Sequence, residues 1–525
     1  MEGLSIPDVG LQPLARIASV VAAVEPPTHG PENARACSGL EGRTLMTATS
    51  PMKQTTACAA LCLAALLVAA PGPAQTTLGY PRVMQGPMVG AVTDTDARIW
   101  VRLSGEFSVT VEYGIGFELS SFVRTAPIVA MASNDYTAVV TLGGLEPDTE
   151  YFYRIDVNGV PDRYLRGHPP FRFRTAPEKG RAQTFRVAFG SCPRFQDDRV
   201  QPIWGVVEGL RPDVFLWIGD NVYADATDPE IQREEHRRQR DVAGLQGVLH
   251  NISHLAVWDD HDFGLNNSDR TNPIRSEALG VFRQYWANPA YGLPEVPGVF
   301  FSYSFGAVDF FFLDDRFYRD PNTTPDAPDK TLLGAGQFSW LLAELKRSRA
   351  TFKVLVSGTT FSVDKGVMSD SWTGYRHERD RLFDFIRDNG IGGVILASGD
   401  VHVGALNAIA WSERGGYDLY DLISSPLAQK SPDSWLEQRP QHRIRPVYFQ
   451  GSNVGVIDFV FDGSPHVVYR LFDIHGRSVW SPFVVHAREL VNGVTSWPEK
   501  VDAKERQRQQ NWEAGKGYYE IRPPD

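Results

Sequence analysis

Six apolar runs in the middle of the chain each end in residues that can bind a metal ion or a phosphate. Phe185 to Phe189 leads into Gly190, Ser191 and Cys192, and Val214 to Ile218 into Gly219, Asp220, Asn221, Val222, Tyr223, Ala224 and Asp225. Leu255 to Trp258 leads into Asp259, Asp260, His261 and Asp262, and Phe310 to Leu313 into Asp314, Asp315 and Arg316. Val354 to Val356 meets Ser357, Gly358, Thr359 and Thr360, and Val394 to Ala397 meets Ser398, Gly399, Asp400, Val401 and His402. Short hydrophobic runs closed by glycine and polar residues read as strands buried on both faces. In open α/β sheets, ligands bind beyond the carboxyl ends of such strands. Five of the six ends carry Cys, Asp, Tyr, His or Arg, which points to a metal-dependent active site.

At 525 residues the chain exceeds one ordinary domain and predicts two or three units with ample core. Its net charge of -11 argues against a general nucleic-acid binder, because affinity for a phosphate backbone needs a basic face. Small phosphorylated substrates stay open, since metals and a few arginines meet their charge locally. No obligate protein partner is evident.

Residues 52–74 read as a secretory signal peptide: Met52-Lys53-Gln54, an apolar stretch from Ala57 to Ala70, then Pro71-Gly72-Pro73-Ala74. The apolar part is shorter than the roughly 20 residues of a membrane-spanning helix, so no transmembrane anchor is expected after its removal. Without a twin-arginine pair, general secretion is expected, to the periplasm or the exterior. Residues 1–51 show no usable pattern and are expected to be disordered or to precede the true start at Met46 or Met52. Cys37, Cys58 and Cys62 fall in this leader, so Cys192 is the lone cysteine of the exported protein, either metal-bound, reactive or an inert buried thiol.

Residues 80–177 carry short alternating segments spaced by turn residues, such as Ala97 to Arg102 and Val109 to Tyr113, which predict a β-sandwich. The run Leu145 to Tyr153 looks like the tyrosine-corner region of fibronectin type III domains. A catalytic unit is expected over 182–495 and a polar, helix-prone tail over 496–525. Phe338, Leu341, Leu342 and Leu345 share one face of a predicted helix over 336–346, and a second helix runs from Arg379 to Asn389. Glu230 to Asp241 predicts a solvated helix, and 447–490 further strands.

An acid just past a strand can bridge two cations, and a phenol three residues on reaches the same ion. Asp220 with Tyr223, and Asp400 with His402, have this spacing, although either motif alone could be a turn cap. The set GSC, GDNVYAD, WDDHD with Asn266-Asn267, LDDRFYR and SGDVHVG resembles the PhoD-like alkaline phosphatase family of calcineurin-like metallophosphoesterases. The likeness extends over essentially everything after Tyr80. It implies an α/β (α+β) four-layer metallophosphoesterase sandwich preceded by a fibronectin-III-like β-sandwich.

It further implies that Cys192, Asp220, Tyr223 and His402 hold Fe³⁺, with Asp220 bridging to Ca²⁺, one or two ions, at Asp260, Asp400 and Asn266. Thiolate and phenolate on Fe³⁺ would colour the protein. The fifth run ends without the histidine of wider relatives, leaving an oxygen-rich second site that suits Ca²⁺ over zinc. A hydroxide at the metal pair is expected to attack phosphorus in line. His261 either contacts a phosphoryl oxygen and protonates the leaving group, or orients a ligand. Arg316 either clamps phosphate or forms a buried pair with Asp314. Asp259, Asp262 and Asp225 are expected to support ligands. The expected activity is that of a secreted phosphatase acting on monoesters, diesters or both. The alternatives are a phospholipase D-type phosphodiesterase acting on lipid headgroups or polymers, and a non-catalytic metal-stabilised binding protein. Substrate width would be set by the loops Asp320 to Lys330 and Gln429 to His442.

Overall fold

The computed structural model describes residues 79–165, 168–363, 369–431 and 442–516. The signal peptide expected over 52–74 and the residues before it lie outside the described residues, as do 517–525. Among the described residues no helix is long and apolar enough to cross a membrane.

The six runs become strands, five of them with every residue buried and the sixth, Phe185–Gly190, exposing only part of Arg186. One sheet has the order Ser253–Val257, Val214–Ile218, Phe185–Gly190, Asn453–Val460, His466–Asp473, Phe483–His486. Its first three strands are parallel and the others antiparallel. The second runs Phe301–Phe305, Val308–Phe312, Phe352–Ser357, Val394–Ser398, Leu419–Ile423, Ala405–Ile409, with the middle four parallel. Aromatic contacts between the sheets, Phe185 on Phe305 at 4.4 Å and Phe352 on Phe459 at 5.8 Å, put their inner faces together. On the first sheet, helix Ile203–Leu210 sets Trp204 against Phe215 and Trp217. Helices Gly334–Arg347 and Arg376–Asp388 bury Leu341, Leu345, Leu382 and Phe383 in the same core. Layers of helix, sheet, sheet and helix result, with the parallel strands of both sheets ending on one side.

Residues 83–174 form two antiparallel sheets. One joins Val83–Val92, Asp96–Leu103 and Thr137–Gly143, and the other is built on Ser108–Gly114 and Glu150–Val157. Both contribute to one apolar core. A backbone bond and a side-chain bond join this sandwich to the α/β layers. Ala91 N–H donates to Ala287 O at 3.0 Å, and the Tyr303 hydroxyl donates to Val92 O at 2.5 Å. Gly90 lies so close to Ala287 that a Cβ there would sit 2.4 Å from the Ala287 Cβ.

The charged helix, Pro229–Arg240, differs from the solvated one expected. Gln232, Glu235, His236, Gln239 and Arg240 are buried. Arg240 is enclosed by the rings of Trp100, Tyr285 and Trp286, and His236 stacks on Tyr285 at 4.7 Å. Its polar face is an interior seam whose partners come from distant sequence, which periodicity cannot register. Asp135 closes the seam, receiving Arg102 at 2.8 Å, Arg237 at 2.9 Å and the Tyr285 hydroxyl.

Burial alone would raise the Asp135 carboxyl, but Arg102, Tyr285 and Arg237 hold it below its ordinary value. A carboxylate depressed in the folded state stabilises the fold above its unfolded value of about 3.9, and this is lost as pH falls through the folded value. Asp135→Asn should therefore cost about 1–3 kcal/mol at pH 7, and the gap from wild type should close below about pH 4. Urea midpoints at pH 7 and pH 3 measure it; an equal gap at both would exclude the ionised carboxylate as the cause.

Candidate metal centre

Three of the strand ends leave their sheets through unusual backbone. Cys192, Asp220, Asp400 and His402 all have left-handed φ, of 61°, 49°, 69° and 54°. Non-glycine residues adopt this region rarely, and such residues cluster at functional sites. Close packing of the strand ends depends on glycine: a Cβ at Gly399 would lie 2.4 Å from the Ser191 Oγ, and one at Gly219 2.7 Å from the Asp259 Cβ.

Among the described residues two groups of donor atoms result, and they share one residue. Cys192, Asp220 and His402 offer ligand atoms within 4.8 Å of one another, and so do Asp220, Asp260 and His261. Cys192 Sγ lies 3.4 Å from Asp220 Oδ2, and the Tyr223 hydroxyl 3.2 Å from the same oxygen and 3.1 Å from His402 Nε2. The Asp400 carboxylate is near enough to Cys192 and Asp259 to raise both. Asn266 is exposed, and this loop's bond to the cluster comes instead from Asn267 N–H, 2.6 Å from Asp260 Oδ2.

The charge balance shows what the cluster lacks. Burial pushes the Cys192 thiol up to about 11, the bonds from Ser191 and Ser425 offsetting only part. Burial, then repulsion from its neighbours, raises Asp220, and Tyr223 rises for the same reasons. Buried anions packed this tightly are expensive without a positive charge among them. Cations between these donors would reverse every one of these shifts, so the donor set fits metal ions.

His261 packs against Tyr223 with ring centroids 4.3 Å apart, and its Nδ1 is bonded to Asp225. Burial would lower the imidazole, but Asp220, Asp225 and Asp260 push it up to about 10. Asp262 accepts backbone N–H bonds from Asn221, Val222 and Asp259 and so ties two strand ends together. Arg316 is fully buried, bonded to Asp259 and, through both terminal nitrogens, to Asp370 at 2.9 and 3.1 Å. It is 3.9 Å from Asp260. Asp314 is not the guanidinium's partner: its carboxylate takes Trp258 Nε1 and the backbone N–H groups of Val299, Arg316 and Phe317.

Sequence reasoning missed Gln429, whose Nε2 lies 2.5 Å from the Tyr223 hydroxyl and 2.6 Å from His402 Nε2. It also missed Asp370, which joins Arg316 to Arg319. The Gln429 loop is carried to the site by Leu427 N–H on Ser191 O and Ala428 N–H on Cys192 O. Most of the Gln429 to His442 loop lies outside the described residues.

Two mixed sheets packed face to face, with paired donor groups beyond their parallel strands, define a metallophosphoesterase-like fold. Residues 187–448 match the family described as PhoD-like phosphatase, and through them the chain belongs to that family. Residues 80–170 match a domain of unknown function, DUF7800. Alkaline phosphatase D of Bacillus subtilis (strain 168) is 25% identical over 334 residues, 53% of this chain and 55% of that protein. The chain thus spans about half the length of this curated relative. The solved structure of PhoD superposes with a TM-score of 0.66 at 20% identity, over 80% of this chain and 93% of that one. A purple acid phosphatase, PPD1 from yellow lupin (Lupinus luteus) seeds, gives 0.54 at 14%, over 78% and 74%. At these identities both likenesses are of fold.

Proposed function

We propose that the protein is a secreted, metal-dependent phosphoric ester hydrolase acting on phosphate monoesters, diesters or both. The observation that carries this is the pair of donor groups sharing Asp220. A carboxylate common to two sites is suited to two cations acting on one phosphoryl group. Cys192, Asp220, Tyr223 and His402 would hold Fe³⁺, which suits thiolate and phenolate donors, while Asp220, Asp260 and Asp400 offer the hard oxygens of a Ca²⁺ site. Asn266, being exposed, is the member of that set the geometry supports least. When bound, the cations supply charge neutralisation at the phosphoryl oxygens and acidify water.

The side chains then divide the work. Asp225 fixes the His261 ring through Nδ1, leaving Nε2 as the atom that can pass a proton to the departing alcohol. In the balanced reaction the bond from phosphorus to the alcohol oxygen breaks, one to a water oxygen forms, and the alcohol leaves with a proton. Gln429 can donate to the Tyr223 oxygen, which keeps lone pairs beyond the one given to a cation. Arg316, saturated by carboxylates, positions Asp259 and Asp260 rather than gripping substrate.

Purified protein should contain iron and calcium, and should hydrolyse 4-nitrophenyl phosphate or bis(4-nitrophenyl) phosphate. Exhaustive chelation should lower the rate at least about 100-fold, with recovery on adding both metals. Full activity in metal-free protein would refute the mechanism.

A further inference from the structure

We infer that a hollow beside the metal centre is the subsite for the alcohol part of the substrate, and that it selects an aromatic ring carrying a further negative charge. The inference rests on the phosphoric ester hydrolase reading above. The hollow, about 490 Å³, lies between residues 446–450, the hairpin that follows strand His466–Asp473, and helix Ala503–Glu513. Its size is that of a small-molecule site, which spans roughly 300–1,000 Å³.

Sheet register places it. Strand Asn453–Val460 runs antiparallel to Phe185–Gly190, with Gly455 opposite Phe189, and Asp473 of the next strand lies opposite Asn453. Asp473 therefore stands at the same end of the sheet as Cys192, two strand spacings or roughly 10 Å across. From the other sheet, Gly404 exchanges two 2.8 Å backbone hydrogen bonds with Tyr448. Gly404 also presses on the same strand, since a Cβ there would lie 2.2 Å from the Leu471 Cδ2. Gly404 is two steps along the chain from His402, at most about 7 Å. A phosphate at the centre and a ring in the hollow are thus within reach of one small molecule.

The lining specifies what that molecule carries. Tyr448, Phe449 and Trp480 supply rings, and Lys504 and Arg508 supply positive charge beyond the neutral Arg477–Asp473 pair. The carboxylate in the lining, Asp473, is bound by Arg477 at 2.8 Å. Planar bases stack on such rings, and the cations suit an anionic group on the same leaving group. A nucleoside monophosphate meets both demands, whereas glycerol meets neither.

The test uses the full chain loaded with iron and calcium and compares adenosine diphosphate, whose leaving group is AMP, with glycerol 2-phosphate. Trp480→Ala should lower the ratio of their kcat/KM values about tenfold or more, through KM for the diphosphate, by removing a stacking surface. Lys504→Glu, at an exposed position where folding is not at stake, should lower the same ratio. Calorimetric titration with AMP reads the site without turnover, and its Kd should rise in both variants. An unchanged ratio with an unchanged AMP Kd in both variants would overturn the subsite, as would equal losses on both esters. Hydrolysis of neither ester by loaded wild type would instead overturn the phosphatase reading, and with it the subsite's role in catalysis.

Discussion

Asp220→Asn should strip the protein of both metals and lower kcat/KM at least about 10³-fold, while leaving the metal-free fold as stable as wild type or more so. The two effects have opposite signs for one reason. Asp220 is buried among Cys192, Tyr223 and Asp260, and its charge is a burden to the chain alone but common to both donor groups. An amide of the same shape removes the burden together with the bridge. Losing about 4 kcal/mol of transition-state stabilisation corresponds to the 10³-fold fall. Metal content per chain, kcat/KM and a urea titration after chelation measure the three consequences. A variant that keeps both metals and stays within tenfold of wild type would rule out the bridging role.

Arg316→Leu should destabilise the fold by about 3–5 kcal/mol, because it abandons Asp259 and Asp370 in the interior without their cation. Arg319 still touches Asp370, at 2.5 Å, but nothing among the described residues replaces the bond to Asp259. A denaturant midpoint decides the matter. A variant of normal stability with weakened inorganic phosphate affinity would restore the phosphate-clamp role that its place after the LDD sequence first implied.

These two residues also show what a sequence can and cannot disclose. Asp220 was legible because a fully buried parallel strand is a continuous apolar word, and the residue after it must emerge at the strand's carboxyl end. The same logic pointed to Cys192, Asp260, Asp400 and His402 as candidates. Arg316 emerged from an equally clear strand, but its environment depended on Asp370, a lone acid 54 residues later with no periodicity around it. Gln429 was hidden likewise: an amide in an irregular loop carries no local signature, and only the bonds of Leu427 and Ala428 to the Ser191–Cys192 turn bring it to Tyr223. The helix Pro229–Arg240 misled for a related reason, since charge read as exposure was in fact paired with rings and acids from both parts of the fold.

The left-handed turns at Cys192, Asp220, Asp400 and His402 have a consequence for how such a chain matures. Each is a backbone state that an L residue leaves readily, at a cost of order 1 kcal/mol or more to retain, and all four converge on mutually repelling donors. On the proposed reading, ions that bind only the folded state add stability in proportion to the logarithm of their concentration. Ion supply would then act as a checkpoint on maturation: chains that meet iron and calcium become durable, and those that do not remain the easier prey of proteases.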